Sequence, residues 1–216
     1  MAKTVTAAEM KERERAANEA GLLYIQMMEN AGRAAYAELK RRVPALRRLL
    51  IVAGKGNNGG DGFVMARVAA KEGVQVRVLL AEGEPKTADA KTNLARLAET
   101  AAEVVRDTEQ AAFGADAVVD ALYGTGFHGE LRPDGAAACA LMGRERERGA
   151  FVLALDLPSG VSADSGEVAE GAVQADATVT FDCTKPLHFA KASKPLCGAL
   201  VCADIGIGKA LGEHET

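Results

Sequence analysis

The stretch from Leu49 to Ala66 joins a run of branched apolar residues to a segment rich in glycine and asparagine, after which a helix-forming sequence resumes. This order is typical of a strand, a loop that holds a ligand, and a helix. The glycines of the segment are Gly54, Gly56, Gly59, Gly60 and Gly62. Because glycine has no Cβ, it suits positions where the backbone approaches another group closely or takes a positive φ. A simple connection is usually shorter and poorer in glycine, so the stretch predicts a binding loop.

The chain has 216 residues, of which 48% are hydrophobic, and this predicts a single domain over residues 1–216 with a layered core. Its net charge of −4 and its lack of tryptophan argue against a nucleic-acid-binding surface. No apolar run approaches the roughly 20 residues that span a bilayer, and the N-terminus has no basic segment followed by an apolar one. The cysteines form no C-x-x-C pair, so free thiols in a cytoplasmic protein are expected; they are Cys139, Cys183, Cys197 and Cys202.

Two helices are predicted before the first strand. Thr6 and Glu9 have the spacing of a capping box, which starts the first helix. The second helix is expected from near Gly21 to Arg42, where Val43-Pro44 ends it. From Leu49 onward strands and helices alternate. The expected strands are 49–53, 74–80, 104–105, 117–119, 151–155, 177–181 and 199–203, and the expected helices are 61–72, 87–99 and 133–148.

The predicted strands are nearly continuous in apolar residues, which is typical of a parallel sheet covered by helices on both faces. The fold class is therefore α/β, a three-layer α/β/α sandwich with a mainly parallel central sheet. In such a sheet the carboxyl ends of the strands share one edge, and ligands bind in the crevice outside it. Three strands end in similar sequences, 54–62, 120–129 and 156–160, each with an acid or amide next to glycines. The sequence therefore predicts one composite site at this edge.

The first of these sequences has two interpretations. Residues 54–59 match the pattern G-x-G-x-x-G, which alone favours a dinucleotide fold with a pyrophosphate at the helix N-terminus. Against this, Gly60 and Gly62 are expected to delay the helix, so that Asp61 would lie at its start and repel a phosphate. Asp61 could instead be the N-cap residue of that helix. No Lys-Ser or Lys-Thr pair follows, so a Walker loop is not expected.

Oxygen-bearing side chains recur at all three strand ends. Asn58, Asp120 and Ser159 are hard oxygen donors, suited to a monovalent or alkaline-earth cation, or else to a hydrogen-bonded polar cluster. Asp156 ends an apolar strand, where a carboxylate is suited to proton transfer, or where it simply caps the turn at Ser159. His128 is expected to face solvent.

The motifs NNGGDG, DALYGTGFHG and DLPSG, in this order, resemble those of the NAD(P)H-hydrate epimerase family, also called the YjeF N-terminal domain. The segments TAAEM, MMENAG and ADATVTF, the last followed by Lys185, are similar to that family as well, so the resemblance spans nearly the whole chain. The resemblance implies a Rossmann-like fold, commonly found as a homodimer. Where members of the family often have the sequence Gly-Pro-Gly, this chain has Gly54-Lys55-Gly56, and the role of Lys55 stays open.

The same resemblance implies a reaction. The substrate would be NADH or NADPH hydrated at C6, called NADHX and NADPHX, and the R and S epimers would be interconverted as a repair step. Asp156 would lie at the reacting ring and contact the substrate, and Asn58, Asp120 and Ser159 would bind a potassium ion. The other residues that would contact the substrate are Asn57, Asn58, Gly59, Gly60, Asp61, Gly124, Thr125, Gly126, Phe127, His128, Gly129 and Glu130.

Many members of the family continue into an ATP- or ADP-dependent NAD(P)H-hydrate dehydratase domain, which is not expected within these 216 residues. That enzyme would be either a separate partner or a domain outside these residues. Two other functions remain as alternatives. The G-x-G-x-x-G pattern favours an NAD(P)-dependent oxidoreductase, and the fold could also serve as a non-catalytic protein-binding scaffold. His188 and His214 have no sequence context that assigns them a role.

Overall fold

The structure, a computed structural model, describes residues 3–213, and His214 lies outside this range. Within it the helices are α1 (Ala7–Glu19), α2 (Tyr24–Arg42), α3 (Asn57–Lys71), α4 (Ala88–Ala95), α5 (Thr108–Ala111), α6 (Pro133–Glu147) and α7 (Ile207–Ala210). The strands are β1 (Arg48–Ala53), β2 (Gln75–Leu80), β3 (Glu103–Val105), β4 (Ala117–Ala121), β5 (Phe151–Leu155), β6 (Ala177–Phe181) and β7 (Ala199–Ala203). Short 3₁₀ turns cover Arg96–Glu99, Pro186–His188 and Lys194–Leu196.

The seven strands form one sheet in the order β3-β2-β1-β4-β5-β6-β7. Every neighbouring pair is parallel, so the carboxyl ends of the strands lie along one edge, as predicted. The strand order reverses between β1 and β4, and this switch point is where open α/β sheets bind ligands.

Side chains of β1 alternate between the two faces of the sheet. Leu49 and Ile51 belong to a core that also contains Leu39 of α2 and Phe63 of α3. Leu50 and Val52 belong to a second core on the opposite face, together with side chains of α6 such as Leu141. The predicted three-layer α/β/α architecture is therefore confirmed.

The helix boundaries agree with the sequence at α1 and depart from it at α2 and α3. Thr6 caps α1 through the predicted capping box with Glu9. Helix α2 begins at Tyr24 rather than near Gly21, whose φ of 101° falls in the left-handed region. Helix α3 begins at Asn57, with Gly56 as its N-cap, so the prediction that it begins near Asp61 is wrong. Asp61 lies in the second turn of α3 and is not its N-cap.

The glycines of α3 explain this difference because they make room for neighbouring parts of the protein. A Cβ on Gly59 would lie 2.2 Å from the carbonyl oxygen of Gly54, and a Cβ on Gly62 would lie 2.7 Å from the Cβ of Ala121. Neither glycine has a positive φ. The predicted need for close approach is correct, but at these two positions the neighbour is the protein itself.

Gly59→Ala is therefore expected to lower the free energy of unfolding by about 3 kcal/mol or more, because the obstructing atom is main-chain oxygen and cannot move aside cheaply. Gly143→Ala is the matched control, since Gly143 also lies within a helix and a Cβ there meets nothing within 4 Å. The unfolding free energy of that control should rise by up to about 1 kcal/mol, because alanine forms helices better than glycine. Urea unfolding measures both, and equal stability of the two variants would contradict this packing.

The cysteines are free, with Cys139, Cys183 and Cys197 buried and Cys202 half-buried. None of the helices between residues 3 and 213 combines the length and the apolar character needed to cross a bilayer.

Candidate functional site

A cavity of about 510 Å³ opens at the carboxyl edge of the sheet, where β1, β4 and β5 end. Residues after β1, β4 and β5 supply its walls, and Met10 and Glu14 of α1 contribute from the side. The predicted composite site is thus present as one cavity. The predicted substrate-contacting residues that line it are Asn57, Asn58, Asp61, Gly124, Thr125, Gly126, Phe127, His128, Glu130 and Asp156.

Three residues of the predicted substrate-binding set do not line this cavity. Gly59 and Gly60 are buried within α3, where a Cβ on Gly60 would lie 2.5 Å from the sulfur atom of Met28. Gly129 lines a neighbouring groove instead. His128 is exposed, as predicted, although it also contributes to the cavity wall.

Asp156 has a left-handed backbone conformation, with φ of 65°. This region costs a non-glycine residue roughly 1–2 kcal/mol and is often found at functional sites. Oδ1 of its carboxylate accepts hydrogen bonds from Lys185 Nζ at 2.6 Å and from Thr180 Oγ1 at 3.0 Å. Oδ2 lies 3.8 Å from where a Cβ on Gly124 would stand, and within residues 3–213 no side chain or backbone N–H donates to it. Oδ2 is therefore available to a molecule in the cavity.

Lys185 lies beneath Asp156, and only 1% of its side chain is exposed. Its ammonium also donates to Thr180 Oγ1 at 2.8 Å and approaches the carbonyl oxygen of Phe181 at 3.4 Å. A buried ammonium requires this kind of compensation, because leaving water costs several kcal/mol. Asp156 is thus half of a largely buried ion pair, and the alternative that it merely caps the turn at Ser159 is wrong.

The residue that caps the turn at Ser159 is Asp120. Its Oδ2 accepts a hydrogen bond from the Ser159 backbone N–H at 2.7 Å, and its Oδ1 accepts from Ser159 Oγ at 2.6 Å and from the Leu122 N–H at 3.2 Å. Ser159 Oγ in turn accepts from the Tyr123 N–H, and Asn58 Nδ2 donates to the Tyr123 carbonyl. The three predicted cation ligands are therefore joined in one hydrogen-bonded cluster, with Asp120 and Ser159 beneath the cavity.

Two features of this cluster fit a bound cation. Asn58 Oδ1 is buried and has no hydrogen-bond partner among residues 3–213. Asp120 is fully buried, burial raises its pKa to about 6, and in the same residues no cationic side chain pairs with it. An amide oxygen without a partner and, in the same cluster, a buried carboxylate that no cationic side chain neutralises suit a hard cation such as potassium. The described residues hold no group of three His, Cys, Asp or Glu side chains arranged for a metal ion.

Two further carboxyl groups, Glu14 and Asp61, line the cavity near Asp156. Burial, reinforced by the charge of Asp156, raises the pKa of Glu14 to about 6. Burial, and then the charges of Asp156 and Glu14, raise the pKa of Asp61 well above its ordinary value. This part of the wall is acidic: the raised pKa favours the protonated form of Asp61, and the charges of Asp156 and Glu14 that help to raise it would also favour positive charge that develops on a bound molecule.

Basic and aromatic groups also line the cavity. Lys55 and Arg132 contribute cationic side chains, which suit an anionic ligand. The rings of Tyr123 and Phe127 stack with their centroids 5.0 Å apart, and Tyr123 donates its hydroxyl hydrogen bond to Glu82. These contacts tie the loop after β4 to the loop after β2.

Glu14, Lys185, His188 and Arg132 are site residues to which the sequence assigned no role. Lys185 and His188 follow β6, the strand adjacent to β5, so extending the rule of shared strand ends to a fourth strand would have indicated them. Glu14 lies on α1, and no sequence pattern indicates that this helix passes beside the strand ends.

Residues 24–187 match the sequence profile of a family described as YjeF-related protein N-terminus. The chain belongs to this family. The match covers the segment that contains both the cavity loops and Lys185, and it confirms the resemblance drawn from the three motifs.

Similar proteins carry names that describe repair of hydrated nicotinamide nucleotides. One from Pirellula staleyi, named NAD(P)H-hydrate epimerase, is 41% identical over 90% of this chain and 88% of its own length. One from Coxiella burnetii, named bifunctional NAD(P)H-hydrate repair enzyme Nnr, is 36% identical over 93% of this chain. The chain spans about two fifths of the length of that bifunctional relative, at 41%.

A solved structure has the same fold. The crystal structure of the yeast protein ynu0 (YNL200c) matches 94% of this chain and 88% of its own, with a TM-score of 0.76 and 20% sequence identity.

Proposed function

We propose that this protein is an NAD(P)H-hydrate epimerase, an isomerase that interconverts the R and S epimers of NADHX and NADPHX. The observation that carries the proposal is Asp156, held on a buried lysine with Oδ2 available to the cavity, in a chain 41% identical to a protein of that name. The cations Lys55 and Arg132 suit the phosphates of a dinucleotide. The predicted substrate contacts that line the cavity remain part of the proposal.

Asp156 exchanges a proton with the hydroxyl group on C6 of the hydrated nicotinamide ring. One route starts from the form in which Oδ2 of Asp156 carries a proton: the carboxyl donates it, the C6–O bond breaks, water leaves, and the ring nitrogen shares its lone pair to form an iminium ion. Water then adds to the other face of C6, and the carboxylate recovers the proton. The alternative route opens the ring between nitrogen and C6 after the hydroxyl loses its proton.

The acidic wall supports the iminium route. Once Asp156 has given up its proton, its negative charge and that of Glu14, which along with burial raise the pKa of Asp61, stabilise a ring cation more than the neutral hydrate. The ammonium of Lys185 is bound to Oδ1 and lies behind the carboxylate, so it orients Asp156 without occupying Oδ2.

A potassium ion is proposed at Asn58, Asp120 and Ser159. When bound, it would supply positive charge that neutralises Asp120 and would join the loops after β1, β4 and β5. The residues themselves hold the loops together: Asn58 bonds the carbonyl of Tyr123, and Ser159 accepts from its N–H. The ion would therefore position the cavity wall and take no part in the proton transfer.

Potassium chloride is expected to raise the midpoint of thermal unfolding by about 5 °C or more at saturation, relative to tetramethylammonium chloride of equal ionic strength, because a ligand that binds only the folded state stabilises it. Asn58→Ala should abolish most of the difference between the two salts, since it removes the amide oxygen that lacks a partner. Equal midpoints in the two salts for the unsubstituted protein would contradict the potassium site.

Four further properties are proposed. The free cysteines suit the cytoplasm. Leu23 and Tyr24, at the start of α2, are exposed large apolar side chains, which supports a homodimer. The bifunctional name of the Coxiella burnetii relative supports a dehydratase as the functional partner. We retain residues 1–216 as one domain.

The proposed function is tested by adding the protein to NADPHX enriched in one epimer and following the epimer ratio by chromatography, beside a control with undamaged NADPH. Accelerated approach to the equilibrium ratio, with NADPH unchanged, is expected. Binding of undamaged NADPH with hydride transfer to an added electron acceptor would favour the oxidoreductase, and the absence of both reactions would favour the scaffold. The structure gives the G-x-G-x-x-G pattern another explanation. At Gly54 and Gly59 a Cβ would collide with the protein's own backbone, so these two glycines are needed for packing whether or not a dinucleotide binds.

A further inference from the structure

His188 is buried in the 3₁₀ turn after β6, next to Lys185, with 2% of its surface exposed. Its Nδ1 accepts a hydrogen bond from the Lys185 backbone N–H at 3.0 Å. Because Nδ1 accepts, the ring proton of the neutral imidazole lies on Nε2. Nε2 is 3.0 Å from the carbonyl oxygen of Asp156, so the ring donates there. The histidine thus joins the backbone of Lys185 to the backbone of Asp156.

The environment of His188 favours the neutral ring that this arrangement requires. Burial lowers the pKa of His188 to about 4, and the charged groups that face it are Asp156 and Lys185, whose effects oppose each other. A protonated ring would carry hydrogen on both nitrogen atoms and would lose the bond from the Lys185 N–H.

The backbone that His188 contacts is the left-handed one. Asp156 donates its own N–H to the carbonyl of Val179 at 2.7 Å, and its carbonyl accepts from His188. Both main-chain groups are therefore held by β6 or by the turn that follows it. A left-handed aspartate persists only where its surroundings determine its conformation. His188 is the side chain that holds its carbonyl, and it does not line the cavity.

We propose that His188 is a positioning residue, whose Nε2–H holds the Asp156 carbonyl so that the backbone stays left-handed and Oδ2 points into the cavity. This inference rests on the proposed epimerase activity. We therefore expect kcat to depend on a hydrogen-bond donor at the position of Nε2, whereas substrate affinity depends on the residues that line the cavity.

The test compares two amide substitutions. In His188→Gln the amide nitrogen reaches the position of Nε2 and can donate to Asp156, whereas in His188→Asn the shorter amide can still accept from Lys185 but cannot reach Asp156. We expect His188→Asn to lower kcat for epimerisation by about 10- to 100-fold with KM changed less than about threefold, since small misplacements of a reacting group have effects of this size. His188→Gln should stay within about threefold of the unsubstituted kcat.

Ser193→Ala is the control for a merely structural effect. Ser193 is buried and donates its hydroxyl to the carbonyl of Leu187, so it supports the same turn without contacting Asp156. We expect it to lower the thermal midpoint while leaving kcat within about twofold.

Three outcomes overturn the inference: unchanged kcat in His188→Asn, equal losses in His188→Asn and His188→Gln, or an equal loss of kcat in Ser193→Ala. If His188→Asn does not fold, His188→Gln decides, because a folded glutamine variant with a more than tenfold lower kcat contradicts the role of the donor. If the unsubstituted protein has no epimerase activity, it is the proposed function that fails. In that case the N–Hα coupling of Asp156, measured by NMR in His188→Gln and His188→Asn, tests the positioning role alone.

Discussion

Asp156→Asn is expected to lower kcat for epimerisation by about 10²- to 10⁴-fold, the range that a general acid or base contributes. Asparagine tolerates the left-handed conformation and retains an oxygen that can accept from Lys185, but it cannot exchange a proton with the C6 hydroxyl. The folded state should therefore persist while turnover is lost. The rate of NADPHX epimerisation, followed by chromatography, measures the loss of turnover, and circular dichroism measures whether the variant is folded.

Asp182→Asn is the matched control for this substitution. Asp182 also has a left-handed backbone, with φ of 58°, and it also pairs with a cation, Arg13, but it does not line the cavity. It should retain kcat within about threefold. Retention of the full rate by folded Asp156→Asn with normal substrate affinity would exclude Asp156 as the acid or base.

Lys185→Met is expected to affect both stability and turnover. The substitution leaves the carboxylate of Asp156, whose side chain is 14% exposed, with Thr180 as its remaining side-chain donor. Removing one partner of a largely buried ion pair costs about 3 kcal/mol of unfolding free energy. The loss of the ammonium also frees the carboxylate to rotate, so kcat should fall by roughly 10²-fold. Urea unfolding and the epimerisation assay measure the two effects.

The double variant Asp156→Asn with Lys185→Met separates the two effects. Because it contains no unpaired carboxylate, it should be more stable than Lys185→Met alone, yet it should remain inactive. Lys191→Met, at an exposed lysine on the segment after His188, should change neither quantity. An active Lys185→Met variant of unchanged stability would show that the ion pair has no part in holding Asp156.

The sheet was predictable because most residues of its strands are apolar. Strands β5, β6 and β7 begin and end at the predicted residues. Helix α3 was not predictable at its start, because glycine is a poor helix former and the sequence does not reveal its packing. The Cβ that Gly59 lacks would meet the carbonyl oxygen of Gly54, a contact between segments that exists only in the fold. Tertiary packing therefore decided where this helix begins.

The observed start of α3 also changes which groups would face a phosphate there. The objection that Asp61 would repel a phosphate at the helix start does not hold, since Asp61 lies a turn further on and Asn57 and Gly56 are at the start. Asp61 instead faces the cavity near Asp156 and Glu14, where its carboxyl joins the acidic wall.

The part of the candidate site that lies at the ends of β1, β4 and β5 was predictable from the sequence. Asp120 is the last residue but one of β4, Asp156 follows β5 directly, and Asn58 and Ser159 lie within five residues of the ends of β1 and β5, so the parallel sheet brings them together. The ion pair was missed because residues 182–188 after β6 contain no glycine that would mark a binding loop, and because the burial of Lys185 follows from the path of the chain there. Glu14 reaches the cavity through the packing of a whole helix, for which one sequence provides no signal.

The most direct test of the central claim starts from the two purified epimers of NADPHX separately. With catalytic amounts of the unsubstituted protein, we expect both samples to reach the same ratio of R to S much faster than samples without protein, while the total amount of NADPHX stays constant. Asp156→Asn should leave both samples near the uncatalysed rate. Relaxation of both epimers at the uncatalysed rate with the unsubstituted, folded protein would contradict the assignment as an epimerase.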